Sequence, residues 1–168
     1  MGIEIERKFL VRNEDWRQSV ASRLTIRQAY LDRSANVSIR VRIRDNQSAT
    51  LTLKSRPSAL RRQELEYPIP VLEAETLLAL RQGYVIEKVR HIVPHDKLKW
   101  EVDVFSGENA GLVIAEIELP TEHHEIELPD WIGREITGQT PYYNGTLAHR
   151  PFRTWVQQDL AAAGQQTA

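Results

Sequence analysis

Ile3-Glu4-Ile5-Glu6-Arg7-Lys8-Phe9-Leu10-Val11 changes character at every step. In an extended strand, side chains repeat every second residue on one face. Glu4, Glu6 and Lys8 therefore share one side, with Ile3, Ile5, Arg7 and Phe9 on the other. Two carboxylates followed by an ammonium form half of a site for a hard cation and a phosphate. A solvated face of an ordinary antiparallel sheet reads the same way locally. The decision rests on whether other strands repeat the sorting.

They do. Val37 to Arg44 sets Ile39, Val41 and Ile43 against Arg40, Arg42 and Arg44. The turn residues Asp45-Asn46-Gln47-Ser48 lead into Ala49 to Lys54, so the two strands are predicted to form a hairpin. Further along, Arg62, Glu64 and Glu66 are in phase, as are Lys88 and Arg90, Glu101 and Asp103, and Glu116 and Glu118. Like charges side by side on one strand face repel, and turning those faces inward raises the cost. A ligand carrying both signs, divalent cations with a polyanion, would offset it. A closed sheet of eight strands can enclose one small ligand.

The rest of the chain fits one soluble domain spanning 1–168. It has 168 residues, 22 Lys and Arg against 23 Asp and Glu, and a net charge of −1. No global field draws it to nucleic acid or membrane, so any strong potential comes from local segregation. The absence of cysteine excludes disulfides and thiolate metal sites. No apolar run reaches membrane-spanning length, and no secretory signal opens the chain. A cytoplasmic location is expected, with no membrane or nucleic-acid partner; a homodimer is left open.

Eight strands are predicted: 3–11, 25–32, 37–44, 49–54, 61–69, 84–93, 97–105 and 112–119. A short helix is expected over 15–18. A longer one is expected over 70–82, where Pro70 opens it and Gly83 follows it. Pro94 is read as the end of the sixth strand. Beyond Thr121, helical pieces are expected at 131–136, 142–149 and 152–163, with a frayed tail at 164–168. The class is β-dominated α+β, an antiparallel barrel open as a tunnel, with flanking helices. Trp16, Trp131 and Trp155 read as core. Pro94 breaks the helical spacing of His91 and His95, which argues against a zinc site. P-loop, dinucleotide and nucleophile-elbow motifs do not occur.

Taken in order, these motifs resemble the CYTH family, the triphosphate tunnel metalloenzymes. Glu4-Ile5-Glu6-Arg7-Lys8 is similar to the family's ExExK. Arg40-Val41-Arg42, Leu51-Thr52-Leu53-Lys54, Arg62-x-Glu64-x-Glu66-Tyr67, Lys88-Val89-Arg90, Trp100-Glu101-Val102-Asp103 and Ala115-Glu116-Ile117-Glu118-Leu119 follow in family order. Pro129 to Thr137 and Tyr142 to Ala148 look like the C-terminal part of bacterial members, although Pro141 stands where those often carry a basic residue.

The resemblance implies a charged tunnel acting on a triphosphate end. Glu4, Glu6, Asp103, Glu116 and Glu118, with Glu101, would bind magnesium or manganese. Glu64 and Glu66 would orient the cations or a second metal. Lys8, Arg40, Arg42, Lys54, Lys88 and Arg90, with Arg62, would hold phosphate oxygens. Lys8 and Tyr30 would form the proton-transfer dyad seen in small bacterial members. The expected activity is metal-dependent hydrolysis of inorganic triphosphate to pyrophosphate and phosphate. Class IV adenylate cyclase, thiamine triphosphatase and a non-catalytic polyphosphate- or RNA-binding module are the alternatives.

Overall fold

The computed structural model describes residues 5–33, 37–55 and 64–155. Nine strands make one sheet: β1 (Ile5–Val11), β2 (Ser22–Arg33), β3 (Val37–Arg44), β4 (Ser48–Ser55), β5 (Glu64–Ile69), β6 (Gln82–His95), β7 (Leu98–Ser106), β8 (Val113–Leu119) and β9 (Ile132–Glu135). Their order is β5-β4-β3-β2-β6-β7-β8-β1-β9, and every neighbouring pair is antiparallel. Helices α1 (Val71–Ala79) and α2 (Asn144–Leu147), with four short 3₁₀ segments, complete the described chain.

The faces are inverted relative to a common barrel: charge lines the concave side and apolar residues cover the convex one. Period-two alternation causes this directly. Val41 and Ile43 are buried outward with Ala29 and Ala49, under Ala74 and Leu78 of α1. On the other half, Phe9, Trp100, Val102 and Ile117 pack outward beneath Trp16 and Trp131. Trp100 meets Phe9 and Trp131 edge-on at 5.6 and 5.5 Å between ring centroids. Three of the four tryptophans, Trp16, Trp131 and Trp155, are core residues as expected, and so is Trp100.

A third cluster closes one end of the concave side. Tyr142, Leu147, Phe152 and Trp155 pack on Leu10, Tyr30, Ile86, Phe105 and Ile114. Two backbone ties fasten this plug. The Tyr84 amide donates to Ala148 O at 2.7 Å, and the Phe152 amide donates to Asn109 Oδ1 at 2.8 Å. Gly83 makes the first tie possible: it has φ +74, and a Cβ there would lie 2.2 Å from Ala148 O.

Several expectations are corrected. The sheet has nine strands rather than eight, and its two outer strands, β5 and β9, are not hydrogen-bonded to each other, so it is strongly curled but not closed. The ninth strand lies in 131–136, read as helical because four residues are too short to show alternation. It docks on β1, with the Arg12 amide donating to Trp131 O and the Ile136 amide to Lys8 O, each at 2.8 Å. Arg7, an isolated charge on an otherwise apolar face, was the available signal: it grips Glu135 of β9 with two bonds, at 2.9 and 2.7 Å.

The long helix stops at Ala79, and Gly83 belongs to β6. Pro94 does not end β6; it pairs opposite Lys99 next to the hairpin turn, a strand end where a missing N–H is tolerated. Over 152–163, a 3₁₀ turn at Phe152–Thr154 is described; the remainder and the 164–168 tail lie outside the described residues.

Candidate active site

The concave side encloses a cavity of about 1200 Å³ with contributions from β1 through β8 and from α2. Glu6, Lys8, Tyr30, Arg40, Arg42, Lys54, Glu64, Glu66, Arg90, Glu101, Glu116 and Glu118 all line it. Glu4 and Arg62 lie outside the described residues. Strand register explains the convergence. Glu6 stands opposite Glu118, Lys8 opposite Glu116, and Glu101 opposite Glu116. Tyr30 stands opposite Arg40, Arg40 opposite Thr52, and Thr52 opposite Glu66. Directly opposed residues point to the same face, so one acidic wall forms on β1, β7 and β8 and one basic wall on β3.

In the acidic wall the cations are heavily engaged. Lys8 Nζ reaches Glu116 at 2.9 Å and Glu6 at 3.2 Å. Burial works against its charge, but Glu116 and Glu6 raise the Lys8 pKa above its usual range. Arg90 forks onto Asp103 at 2.7 and 2.8 Å, reaches Glu116 at 3.1 Å and also bonds Glu101. Against its burial, those carboxylates raise the Arg90 pKa further. Glu116 is pushed up by burial and by Asp103, yet Lys88, Lys8 and Arg90 hold it below its ordinary value.

Lys88 and Asp103, expected from the sequence at the ligand site, lie behind the cavity wall. Both are buried, at 2% and 0% exposure, and neither lines the cavity. They bond each other, and Lys88 lies 5.1 Å over the Phe105 ring, its partner across the strands. Burial pushes the Lys88 ammonium down. Burial also works on Asp103, but Lys88 and Arg90 prevail and bring its carboxyl to about 2. The pair thus braces Arg90 from behind. Parity alone shows which face a residue takes; it does not show how deep along the strand the cavity reaches.

The basic wall is treated differently. Arg42 is hydrogen-bonded to a neutral group, with Nε donating to Gln28 Oε1 at 2.8 Å. Among the described residues it has no carboxylate partner. Burial, then repulsion from Arg40, Arg44 and Arg90, brings its pKa down to about 10. Arg44 donates to Thr50 at 3.5 Å, and Arg40 to Thr52 at 3.2 Å with Glu66 at 3.8 Å. On the far edge, Lys54 pairs with Glu64 at 2.8 Å. Tyr30 is 9% exposed and belongs to both the cavity lining and the apolar plug.

The lining residues not named as site residues from sequence include Arg44, the rim lysines Lys97 and Lys99, and Tyr143-Asn144-Gly145 of the plug. Arg44 continues the arginine alternation and was legible. The plug carries no charge pattern, and its place follows only from tertiary packing.

The donor set suits a hard cation. Glu6 and Glu118 face each other directly, Glu118 has no partner among the described residues, and Glu101 and Glu116 are a second opposed pair. Like charges so placed are destabilising without a cation between them, and carboxylate oxygens are the ligands magnesium and manganese take. No three of the described His, Asp or Glu side chains are grouped closely enough to hold an ion; Lys8 and Arg90 bond the carboxylates Glu6, Glu101 and Glu116.

The CYTH domain family model matches residues 2–150. The chain belongs to the CYTH domain family. An inorganic triphosphatase of Acetivibrio thermocellus is 44% identical over 156 residues, covering 92% of this chain and 99% of that protein. An inorganic triphosphatase of Nitrosomonas europaea is 35% identical over 150 residues, covering 86% and 96%. A solved crystal structure of an inorganic triphosphatase superposes with a TM-score of 0.70 at 32% identity, covering 88% of this chain and 95% of the other. The curled antiparallel sheet is therefore a CYTH fold. None of its described helices is long and apolar enough to cross a membrane.

Proposed function

We propose that this protein hydrolyses inorganic triphosphate to pyrophosphate and orthophosphate within the charged cavity. The observation that carries the reading is the arginine row of β3, above all Arg42, a partly buried guanidinium among cations whose hydrogen bond goes to a neutral amide. A wall of that kind is unfavourable until a polyanion arrives, and charge-assisted bonds to phosphate oxygens are strong. The names of the two relatives, both inorganic triphosphatases at 44% and 35% identity, support the same substrate class.

Glu6, Glu101, Glu116 and Glu118, with Glu4, would hold magnesium or manganese; Glu64 and Glu66 would assist from the opposite edge. A bound divalent ion supplies neutralisation of phosphate charge and acidification of water. The chain's own residues do the rest. Arg40, Arg42, Arg44 and Lys54, with Arg62, bind the phosphate oxygens and fix the chain of phosphates against the basic wall. Arg90, held by Asp103, which Lys88 bonds in turn, borders the acidic wall where the two charge sets meet.

Lys8 stays protonated under Glu116 and Glu6, so its part is neutralisation. Water attacks the terminal phosphorus, the bridging P–O bond breaks, and pyrophosphate leaves. In this scheme Tyr30 relays the water's proton: its hydroxyl oxygen accepts that proton as its own O–H proton passes to a phosphate oxygen of the products. Phosphoryl transfer asks little more of a protein than positioning and charge stabilisation.

The test is phosphate release from inorganic triphosphate, ATP and thiamine triphosphate, each with magnesium, with manganese and with excess chelator. Turnover of inorganic triphosphate above the other two, abolished by chelator, is expected. Full activity in chelator would remove the metal from the reaction. Preference for ATP or thiamine triphosphate would move the substrate to that compound.

A further inference from the structure

Among the described residues, Gln28 is the one fully buried polar residue of the concave side that neither the sequence motifs nor the proposed reaction uses. It is 0% exposed, on β2, between Arg42 of β3 and Ile86 of β6. Its side-chain oxygen accepts from Arg42 Nε at 2.8 Å, and only the oxygen of an amide can accept that bond, which fixes the amide's orientation. Its nitrogen is then a buried donor with no partner among the described residues.

Arg42 and Arg90 make the role of that amide visible. Both guanidiniums line the same cavity. Arg90 is surrounded by Asp103, Glu101 and Glu116, and its charge is spent on them. Arg42 meets a neutral oxygen and three neighbouring arginines, and its pKa falls to about 10 through burial and that repulsion. A carboxylate of the same length at position 28 would make a charge-assisted bond in the same place and relieve the strain. It would also cancel the potential that attracts an anion.

We infer that Gln28 is a positioning residue: it holds Arg42 through a neutral acceptor so that the guanidinium is oriented while its charge remains available to a bound polyphosphate. The inference rests on the triphosphate reading above and assigns the residue that keeps the basic wall unneutralised.

The experiment compares wild type, Gln28→Glu and Gln28→Met. Thermal melting is recorded without ligand, and the Kd for inorganic triphosphate is measured by calorimetry in excess chelator. Gln28→Glu is expected to raise the melting temperature of the free protein and to weaken binding by at least roughly tenfold, the loss of about one charge-assisted contact. Gln28→Met removes the acceptor and adds no charge. It is expected to leave the melting temperature at or below wild type and to weaken binding less than Glu does.

A Gln28→Glu protein that melts lower than wild type, does not fold, or binds triphosphate as tightly as wild type would overturn the inference, as would equal losses in the two variants. Wild-type protein that binds no triphosphate removes the substrate reading instead. The melting comparison then still decides whether Gln28 is what leaves Arg42 without a counter-charge.

Discussion

Arg42→Met separates the cost of the basic wall from its use. A guanidinium brought from its ordinary range down to about 10 carries a penalty of about 3 kcal/mol while charged. Its sign follows from linkage. The folded pKa lies below the unfolded one, so the penalty is present in full at neutral pH and relaxes only as pH rises from about 10. Methionine keeps much of the stem's packing and abolishes the charge.

Against that gain stands the orphaned carbonyl of Gln28, a buried group whose lost hydrogen bond costs about 1–3 kcal/mol. The free protein is therefore expected to be between about 0 and 2 kcal/mol more stable than wild type in urea denaturation. Turnover at limiting triphosphate is expected to fall about tenfold to a hundredfold, since a charge-assisted contact contributes about 1.5–3 kcal/mol. An Arg42→Met protein that is several kcal/mol less stable with unchanged kcat/KM would mean that Arg42 is a structural residue.

Lys88→Met is expected to behave in the opposite way, destabilising by about 3–5 kcal/mol in the same denaturation assay, because it strips one of two cations from the buried Asp103. Pairing it with Asp103→Leu should recover part of that loss. Asp103 also sets an acid limit. Its folded carboxyl, at about 2, lies below the unfolded value, so its stabilisation is complete above about pH 4 and is lost as pH falls towards 2. Asp103→Asn should lose that part of the acid transition, read by fluorescence of the buried tryptophans. Tyr30→Phe keeps the ring in the plug and removes the hydroxyl. If Tyr30 accepts the proton, kcat should fall by about 10²–10⁴ with little change in KM, and an unchanged kcat would reduce Tyr30 to packing.

Much of the molecule could be read from side-chain parity. The strands from Val37 to Leu119 alternate cleanly, so which residues face the cavity followed from a period of two, and the register then brought Glu6 to Glu118 and Arg42 to Gln28. Parity is silent about depth. Lys88 and Arg90 are indistinguishable in sequence, yet one is buried against Phe105 and the other lines the cavity. The ninth strand was hidden because its identity depends on a distant partner, Arg7, rather than on its own four residues. The plug was hidden for the same reason: Tyr142, Leu147 and Phe152 gain their place from apolar surface on β6, β7 and β8. Gln28 reads as one more polar residue until the arginine beside it is known.

The most direct measurement is a phosphorus NMR time course of inorganic triphosphate with the purified protein and magnesium. One pyrophosphate and one orthophosphate should appear for each triphosphate consumed, in a reaction that stops when chelator is added. A triphosphate spectrum that shifts and broadens on binding but yields no pyrophosphate would make the cavity a polyphosphate-binding site without catalysis.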